Sequence, residues 1–365
     1  MLRLSPAKIN LTLRVLGTRA DGFHELDSLV LPIGLCDEVS LTRAECTTLE
    51  VVADQVDLRA LPADPEQNLA LRALRLLERT AQRSLPTRIA IRKRIPLGGG
   101  LGGGSSNAAA VLCAANALWQ LSLSQTQLCT LGAQLGSDVA LFVLDGLVRM
   151  RGRGERVERL TPPAPPPEIA SEDGLWVVLA SDLTHCATPE VYRAFDRLTA
   201  APRPERLADS AAGACACAPA PLFSRPAAPP PAPPHASMQE RLTETPALWD
   251  NRHLSLWKGE VEPVADWVGN DLQAACFALF PSVAKTAEAL RSAGCQGVTL
   301  CGSGATVFGL VQGRAQGESA LAHPALAGCW RACVQALPDG VMAAHGPLTP
   351  IVMVRIHVGQ PSGCR

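Results

Sequence analysis

Pro96-Leu97-Gly98-Gly99-Gly100-Leu101-Gly102-Gly103-Gly104-Ser105-Ser106-Asn107 is the stretch on which the reading of this 365-residue chain turns. Its glycines remove the side chains that would hold a phosphate away from the main chain. A helix beginning near Ser105 would add free N–H groups with partial positive charge. A flexible linker would not be framed by Pro96, interrupted by Leu101 and closed by a Ser-Ser-Asn helix cap. The flanks agree with an anion cradle set between a strand and a helix. Thr87 to Ile95 alternates Ile89, Ile91 and Ile95 with Arg88, Arg92 and Arg94, whereas Asn107 to Leu121 is rich in alanine and leucine without proline.

Two other phosphate loops compete for this stretch. Gly98-x-Gly100-x-x-Gly103 fits dinucleotide-binding spacing, but such a loop follows the first strand of its fold and precedes an acidic residue by roughly 20 positions. Here the loop comes late, and Leu118 to Leu128 is helical and unacidic. A Walker loop would end in Gly-Lys-Ser/Thr; this one does not, so the lysine must come from elsewhere.

Composition narrows the partners. Apolar residues make up 47% and charged residues 18%, the balance of a folded protein. With 33 basic against 34 acidic residues the formal charge is −1, too little field to gather nucleic acid or anionic membrane. An anionic ligand must therefore be held locally. The start, MLRLSPAKIN, reaches Pro6 and Lys8 instead of an apolar run, so neither a signal peptide nor a membrane span is expected, and a cytoplasmic location follows. The 13 cysteines are scattered and odd in number, which fits reduced core thiols. Cys215-x-Cys217 and Cys329-x3-Cys333 lack the second pair or histidine cluster of a zinc site.

The length predicts two domains. A proline cluster at Pro162–Pro167 divides an amino-terminal domain, 1–162, from a carboxy-terminal one, 174–337. The second carries a proline- and alanine-rich insertion, 200–246, expected to be disordered, and 338–365 reads as an irregular tail. Short strands are expected at Leu11 to Leu16, Glu38 to Leu41, Leu49 to Val52, Leu175 to Ala180, Gly297 to Cys301 and Thr306 to Val311. Helices are expected at Asn68 to Ala81 and Ser282 to Ala293.

Pro6-Ala-Lys-Ile-Asn-Leu11, the glycine loop, and Leu300-Cys-Gly-Ser-Gly-Ala-Thr-Val-Phe308 together resemble the three motifs of the GHMP kinases, in that order. The resemblance implies an α+β, two-domain fold: an amino-terminal domain like the second domain of ribosomal protein S5, and a ferredoxin-like carboxy-terminal domain closing the cleft. It implies ATP as phosphoryl donor, bound by Pro96 to Ser106 and by Asn68, with Mg2+ held by Ser105 or Ser106. Lys8 and Asp138, the latter within Gly136-Ser-Asp-Val139, would be the catalytic pair. Phosphoryl transfer needs such a pair, a carboxylate for the attacking hydroxyl's proton and a cation for the moving charge. Gly302-Ser303-Gly304 would face the loop across the cleft.

A narrower likeness within the family rests on Asp21-Gly-Phe-His-Glu-Leu26 and the doubled glycine triplet. It implies a small-molecule acceptor, the 2-hydroxyl of a cytidine-diphosphate-linked methylerythritol of non-mevalonate isoprenoid synthesis. Phe23 would stack on the base, His24 would bond its edge, and Asn10 and Thr188 would lie near the substrate. Taken alone, several of these residues have plainer readings. Lys8 could be a solvated strand residue, Asp138 a helix cap, His24 a turn residue and Asn68 an N-cap. Asn270-Asp271-Leu272 reads as packing and capping. Ala140 and Val143 depart from the family pattern after Asp138. Another GHMP kinase, of mevalonate or homoserine type, and a silent nucleotide-binding regulator are the alternatives. Oligomeric state, monomer or homodimer, stays open.

Overall fold

The computed structural model describes residues 1–53, 56–161, 174–200, 254–257, 259–340 and 356–357; nearly all of the proline-rich insertion and most of the carboxy-terminal tail lie outside them. Two long antiparallel strands, β1 (Leu2–Thr18) and β2 (His24–Arg43), form the spine. They are joined by a tight turn in which Gly22 has φ +80° and the Phe23 N–H donates to Asp21 Oδ1. β3 (Thr48–Ala53) and β4 (Thr87–Lys93) extend the sheet beyond β2, while β5 (Val148–Gly152) pairs with another part of β2 and with β6 (Arg156–Arg159). A second sheet runs β12-β11-β7-β10-β9, from Ile356–His357, Trp330–Gln335, Leu175–Ser181, Val307–Gln312 and Gln296–Leu300. The two-residue strand β8 (Gly269–Asn270) crosses back to pair in parallel with β1.

The period-2 alternation of β1 explains where the site lies. Ala7, Ile9 and Leu11 point to one face, where they share an apolar core with Leu29, Leu31 and Ile33 of β2 and with Val177, Leu179 and Phe308 of the second sheet. Lys8, Asn10 and Thr12 therefore point the other way, and they too are buried. Short strands at Leu11 to Leu16 and Glu38 to Leu41 are thus too short a reading. These segments are parts of longer strands whose remaining buried polar residues, Ser5, Lys8, Asn10, Ser28 and Asp37, interrupt the apolar pattern.

Helices cover the outer part of the first sheet. α1 (Leu69–Ala81) and α2 (Gly103–Leu118) pack against β2 and β4, burying Leu74 and Leu77 beside Leu41, Ile89 and Leu112. α3 (Gln125–Leu135) starts with a capping box between Ser124 and Gln127, and α4 (Val139–Leu144) follows it. α5 (Thr188–Ala200) follows β7. Beyond the short turns Leu254–Trp257 and Val261–Ala265 come α6 (Gln273–Leu279), α7 (Pro281–Ser292) and α8 (Gly313–Leu321). At the edge of the tail, Leu147 N–H donates to the Pro338 carbonyl and Leu337 N–H to that of Pro32, so the chain rests on the first sheet there.

The predicted Ser-Ser-Asn cap is corrected. α2 starts inside the glycine run, with Gly102 as N-cap at φ +72° and no side-chain cap bond. The first intrahelical bond is Ser106 N–H to the Gly102 carbonyl at 2.9 Å, which frees the N–H groups of Gly103, Gly104 and Ser105. Asn107 instead enters a buried polar cluster behind the helix. Its Nδ2 donates to Ser5 Oγ at 2.8 Å and Asp37 Oδ2 at 2.9 Å, while Lys93 Nζ donates to both Asp37 Oδ2 and Asn107 Oδ1. Asp37 Oδ1 also accepts from the N–H groups of Arg94 and Ile95, at 2.7 and 2.9 Å, just before the loop.

Asp37 thus joins β2, the end of β4 and the start of α2 from a position without solvent exposure. Removing one partner of such a pair leaves a buried, uncompensated ammonium. Asp37→Ala is expected to cost about 3–5 kcal/mol of unfolding free energy in a urea titration. A cost under about 1 kcal/mol would remove this cluster as the anchor of the loop.

Candidate active site

A cleft of about 570 Å³ opens between the glycine loop, the β1–β2 turn and α5. Its wall includes Lys8, Asn10, Phe23, His24, Asp138 and Thr188, so it brings together the predicted catalytic pair and every predicted substrate residue. Gly100 and Gly102 reach it from the first glycine loop, Gly302 and Ser303 from the second.

The two glycine loops touch where no side chain would fit. A Cβ on Gly100 would lie 2.2 Å from the Cys301 carbonyl oxygen, and one on Gly99 would lie 2.6 Å from Thr306 Oγ1. The Thr306 N–H reaches back to the Gly99 carbonyl at 3.4 Å. The second loop is braced from behind by Asn270, whose Nδ2 donates to the carbonyls of Leu300 (2.9 Å) and Gly302 (2.7 Å). Asp271 accepts from Arg14 and from the Val15 N–H. The packing part of the reading of Asn270-Asp271-Leu272 agrees with this geometry, whereas α6 starts after Leu272 without a side-chain cap bond.

Lys8 is 5% exposed on β1, and its N–H donates to the Leu101 carbonyl at 3.0 Å, which ties the strand to the first loop. Its ammonium donates to Asn10 Oδ1 at 2.7 Å and stands 3.7 Å from Asp138 Oδ2. Asn10 Nδ2 donates in turn to Ser28 Oγ, and Ser28 Oγ to the Thr12 carbonyl. Asp138 sits at the N-cap position of α4 but makes no cap hydrogen bond, so its carboxylate stays available to the cleft. The helix-cap reading of that residue does not describe its side chain.

Of the two serines, Ser106 is withdrawn. It is buried, its Oγ accepts from Ser5 Oγ at 2.7 Å, and it lines a separate cavity behind α2. A magnesium role for Ser106 is therefore corrected. One position along a helix turns a side chain by about 100°, and the earlier helix start rotates Ser106 into the core. Asn68 caps α1, its Oδ1 accepting from the Ala70 N–H at 3.0 Å. Leu69, next to it, comes within 3.7 Å of a Cβ built on Gly104, so the start of α1 borders the loop.

Tyr192, Asp196 and Arg153 line the cleft and escaped the sequence reading, while Thr188 and Ser303, named there, prove to be joined. Thr188 Oγ1 shares a 2.7 Å hydrogen bond with Ser303 Oγ, joining α5 to the second loop. Tyr192 and Asp196 lie beside His24, and Arg153, in the β5–β6 turn, holds its guanidinium 4.9 Å from the exposed ring of Phe23. Burial, and then the nearby Asp138 charge, push the Tyr192 phenol up to about 12. The signal for the α5 residues was the spacing Thr188, Tyr192, Asp196, which puts three side chains on one helix face.

A buried cation beside a carboxylate, under helix N–H groups that await an anion, is the equipment of phosphoryl transfer. Comparison with known proteins gives the same class. The model of the GHMP kinases N terminal domain matches residues 68–146, and that of the GHMP kinases C terminal matches 256–323. The chain belongs to the GHMP kinases. Within that family it is kin to the 4-diphosphocytidyl-2-C-methyl-D-erythritol kinases. The one from Bacillus cytotoxicus is 33% identical over 312 residues, covering 85% of this chain and 88% of that protein. The one from Bacillus velezensis is also 33% identical over 312 residues, covering 86% and 88%. A crystal structure of 4-(cytidine 5'-diphospho)-2C-methyl-D-erythritol kinase superposes with a TM-score of 0.62 at 31% identity, over 92% of this chain and 99% of that one. The homoserine kinase from Cytophaga hutchinsonii, with a TM-score of 0.59 at 16% identity over 92% and 94% of the two chains, shares the fold alone.

Gly100→Ala places a methyl group on the Cys301 carbonyl and a side chain at φ +75°, so the loops must part. The expected result is a rise of about ten-fold or more in the Kd for an ATP analogue, measured by calorimetry, with the circular dichroism spectrum retained. Unchanged affinity would mean that contact between the loops does not shape the phosphate site.

Proposed function

We propose that the chain transfers the γ-phosphate of ATP to the 2-hydroxyl of 4-diphosphocytidyl-2-C-methyl-D-erythritol, with Lys8 and Asp138 as the catalytic pair. The observation that carries this is the convergence of Lys8, Asp138, Phe23, His24 and Thr188 on one cleft bounded by two glycine turns. The amino-terminal lobe supplies the loop and the pair, and the carboxy-terminal lobe closes the cleft through Ser303 and α5.

In this reading the N–H groups at the start of α2 cradle the ATP phosphates. Asp138 takes or orients the proton of the attacking hydroxyl. Lys8, 3.7 Å from that carboxylate, neutralises charge on the transferring group. Asn10 holds the ammonium in place through its own bond to Ser28. Magnesium would draw most of its oxygens from the nucleotide, with the Ser105 hydroxyl, on the first turn of α2, the one protein ligand left of the two expected from the sequence. When bound it supplies charge neutralisation on those phosphates. The ring of Phe23 offers a stacking face for a pyrimidine, and His24 a polar edge for it.

A mevalonate- or homoserine-type activity would have no use for an exposed aromatic ring and a histidine at this end of the cleft. ADP release that depends on the cytidylyl substrate is the expected result, read with a coupled assay; release with mevalonate or homoserine instead would overturn the assignment. Asp138→Asn is expected to lower kcat by about a hundred- to ten-thousand-fold with the Kd for ATP within about two-fold of the parent, by rapid-quench kinetics and calorimetry. A variant with near-parental kcat would take Asp138 out of the mechanism.

A further inference from the structure

His24 opens β2 with its ring set against one face of α5. The Tyr192 ring lies 4.7 Å away at 32°, the Phe195 ring meets it edge-on at 6.4 Å, and Nε2 stands 2.8 Å from Asp196 Oδ1. An ionised carboxylate can only accept, so the shared proton belongs to His24 Nε2. The second nitrogen, Nδ1, has no hydrogen-bond partner among the described residues, nor is it one of their enclosed, unsatisfied atoms. The ring that carries it lines the cleft. In a neutral imidazole protonated at Nε2, Nδ1 is an acceptor.

We infer that Asp196 is a positioning residue for specificity: by fixing the His24 tautomer it makes the cleft read a hydrogen-bond donor on the substrate's base. The exocyclic amino group of cytosine is such a donor; the carbonyl of uracil at the same position is not. Asp196 does not touch the reacting groups, and its side chain is 47% exposed, so its weight as a salt bridge is small. Its effect is to decide which nitrogen carries the proton. Arg193, which also lines the cleft from α5, carries no acceptor and cannot take its place. The inference rests on the cytidylyl substrate proposed above.

Two measurements on the full chain test it. In a long-range 1H–15N spectrum of histidine-labelled protein, with the His24→Gln variant identifying the signals, His24 is expected to be protonated at Nε2 in the parent. In Asp196→Ala it is expected as a mixture of tautomers. In kinetics, the preference for the cytidine- over the uridine-diphosphate-linked substrate should fall about ten-fold in Asp196→Ala, the worth of roughly one neutral hydrogen bond. The KM for ATP should not move, and Asp196→Glu should restore the preference. Protonation at Nδ1 in the parent, or an undiminished preference in Asp196→Ala, would overturn the inference. A parent protein that turned over neither substrate would sink the substrate reading instead, and the tautomer spectrum would then decide the role of Asp196 by itself.

Discussion

The buried ammonium of Lys8 sets the terms for everything around it. Taking such a charge out of water costs several kcal/mol. Its attraction to the half-buried Asp138 at 3.7 Å recovers roughly 4 kcal/mol at an effective dielectric near 20, and less where water reaches the carboxylate. One bond to Asn10 adds about 1.5–3 kcal/mol as a charge-assisted contact. These gains about match the cost, and they leave two of the three ammonium protons to bond elsewhere. A site balanced in this way keeps positive charge to offer an anion, and the free N–H groups at the start of α2 add to it.

That balance needs a rigid frame, and both glycine loops supply it by contact. Gly100 against Cys301 lets two backbones approach as no other residue would. Asn270 braces the second loop from behind, and the Asp37, Lys93 and Asn107 cluster braces the first. Both braces lie away from the cleft and are polar, so they fix direction as well as distance.

Much of the site was legible because its chemistry is written in local patterns. The glycine run has no apolar use, and Lys8, Asp138, Phe23, His24 and Thr188, named through their motifs, meet in one cleft. What sequence could not give was the side of an element. A helix start misplaced by about two residues turned Ser106 from a phosphate ligand into a core hydroxyl. The length of β1 was hidden because both its faces are buried, one apolar and one polar, so alternation could not be told from interruption. Asp196 lies 172 residues from His24, a pairing visible only once α5 is seen to cross the β1–β2 turn.

The same fold position that hides Asp196 from sequence also divides the labour of the cleft. The charged pair, Lys8 and Asp138, comes from β1 and the start of α4, and β1 is tied to the glycine loop through the Lys8 N–H. The α5 residues at the other end, Tyr192 and Asp196, belong to a helix joined to the second loop by a hydroxyl pair, Thr188 with Ser303. The same helix buries Val191 and Ala194 against Val178 and Ala180 of the second sheet, so its inner face is fixed by packing while its outer face meets the cleft. A substitution on the cleft face of α5 would therefore alter what the cleft admits without disturbing the proposed catalytic pair. Substrate choice and phosphoryl transfer are in this sense physically separable in one site, which is what a family sharing one fold across different acceptors requires.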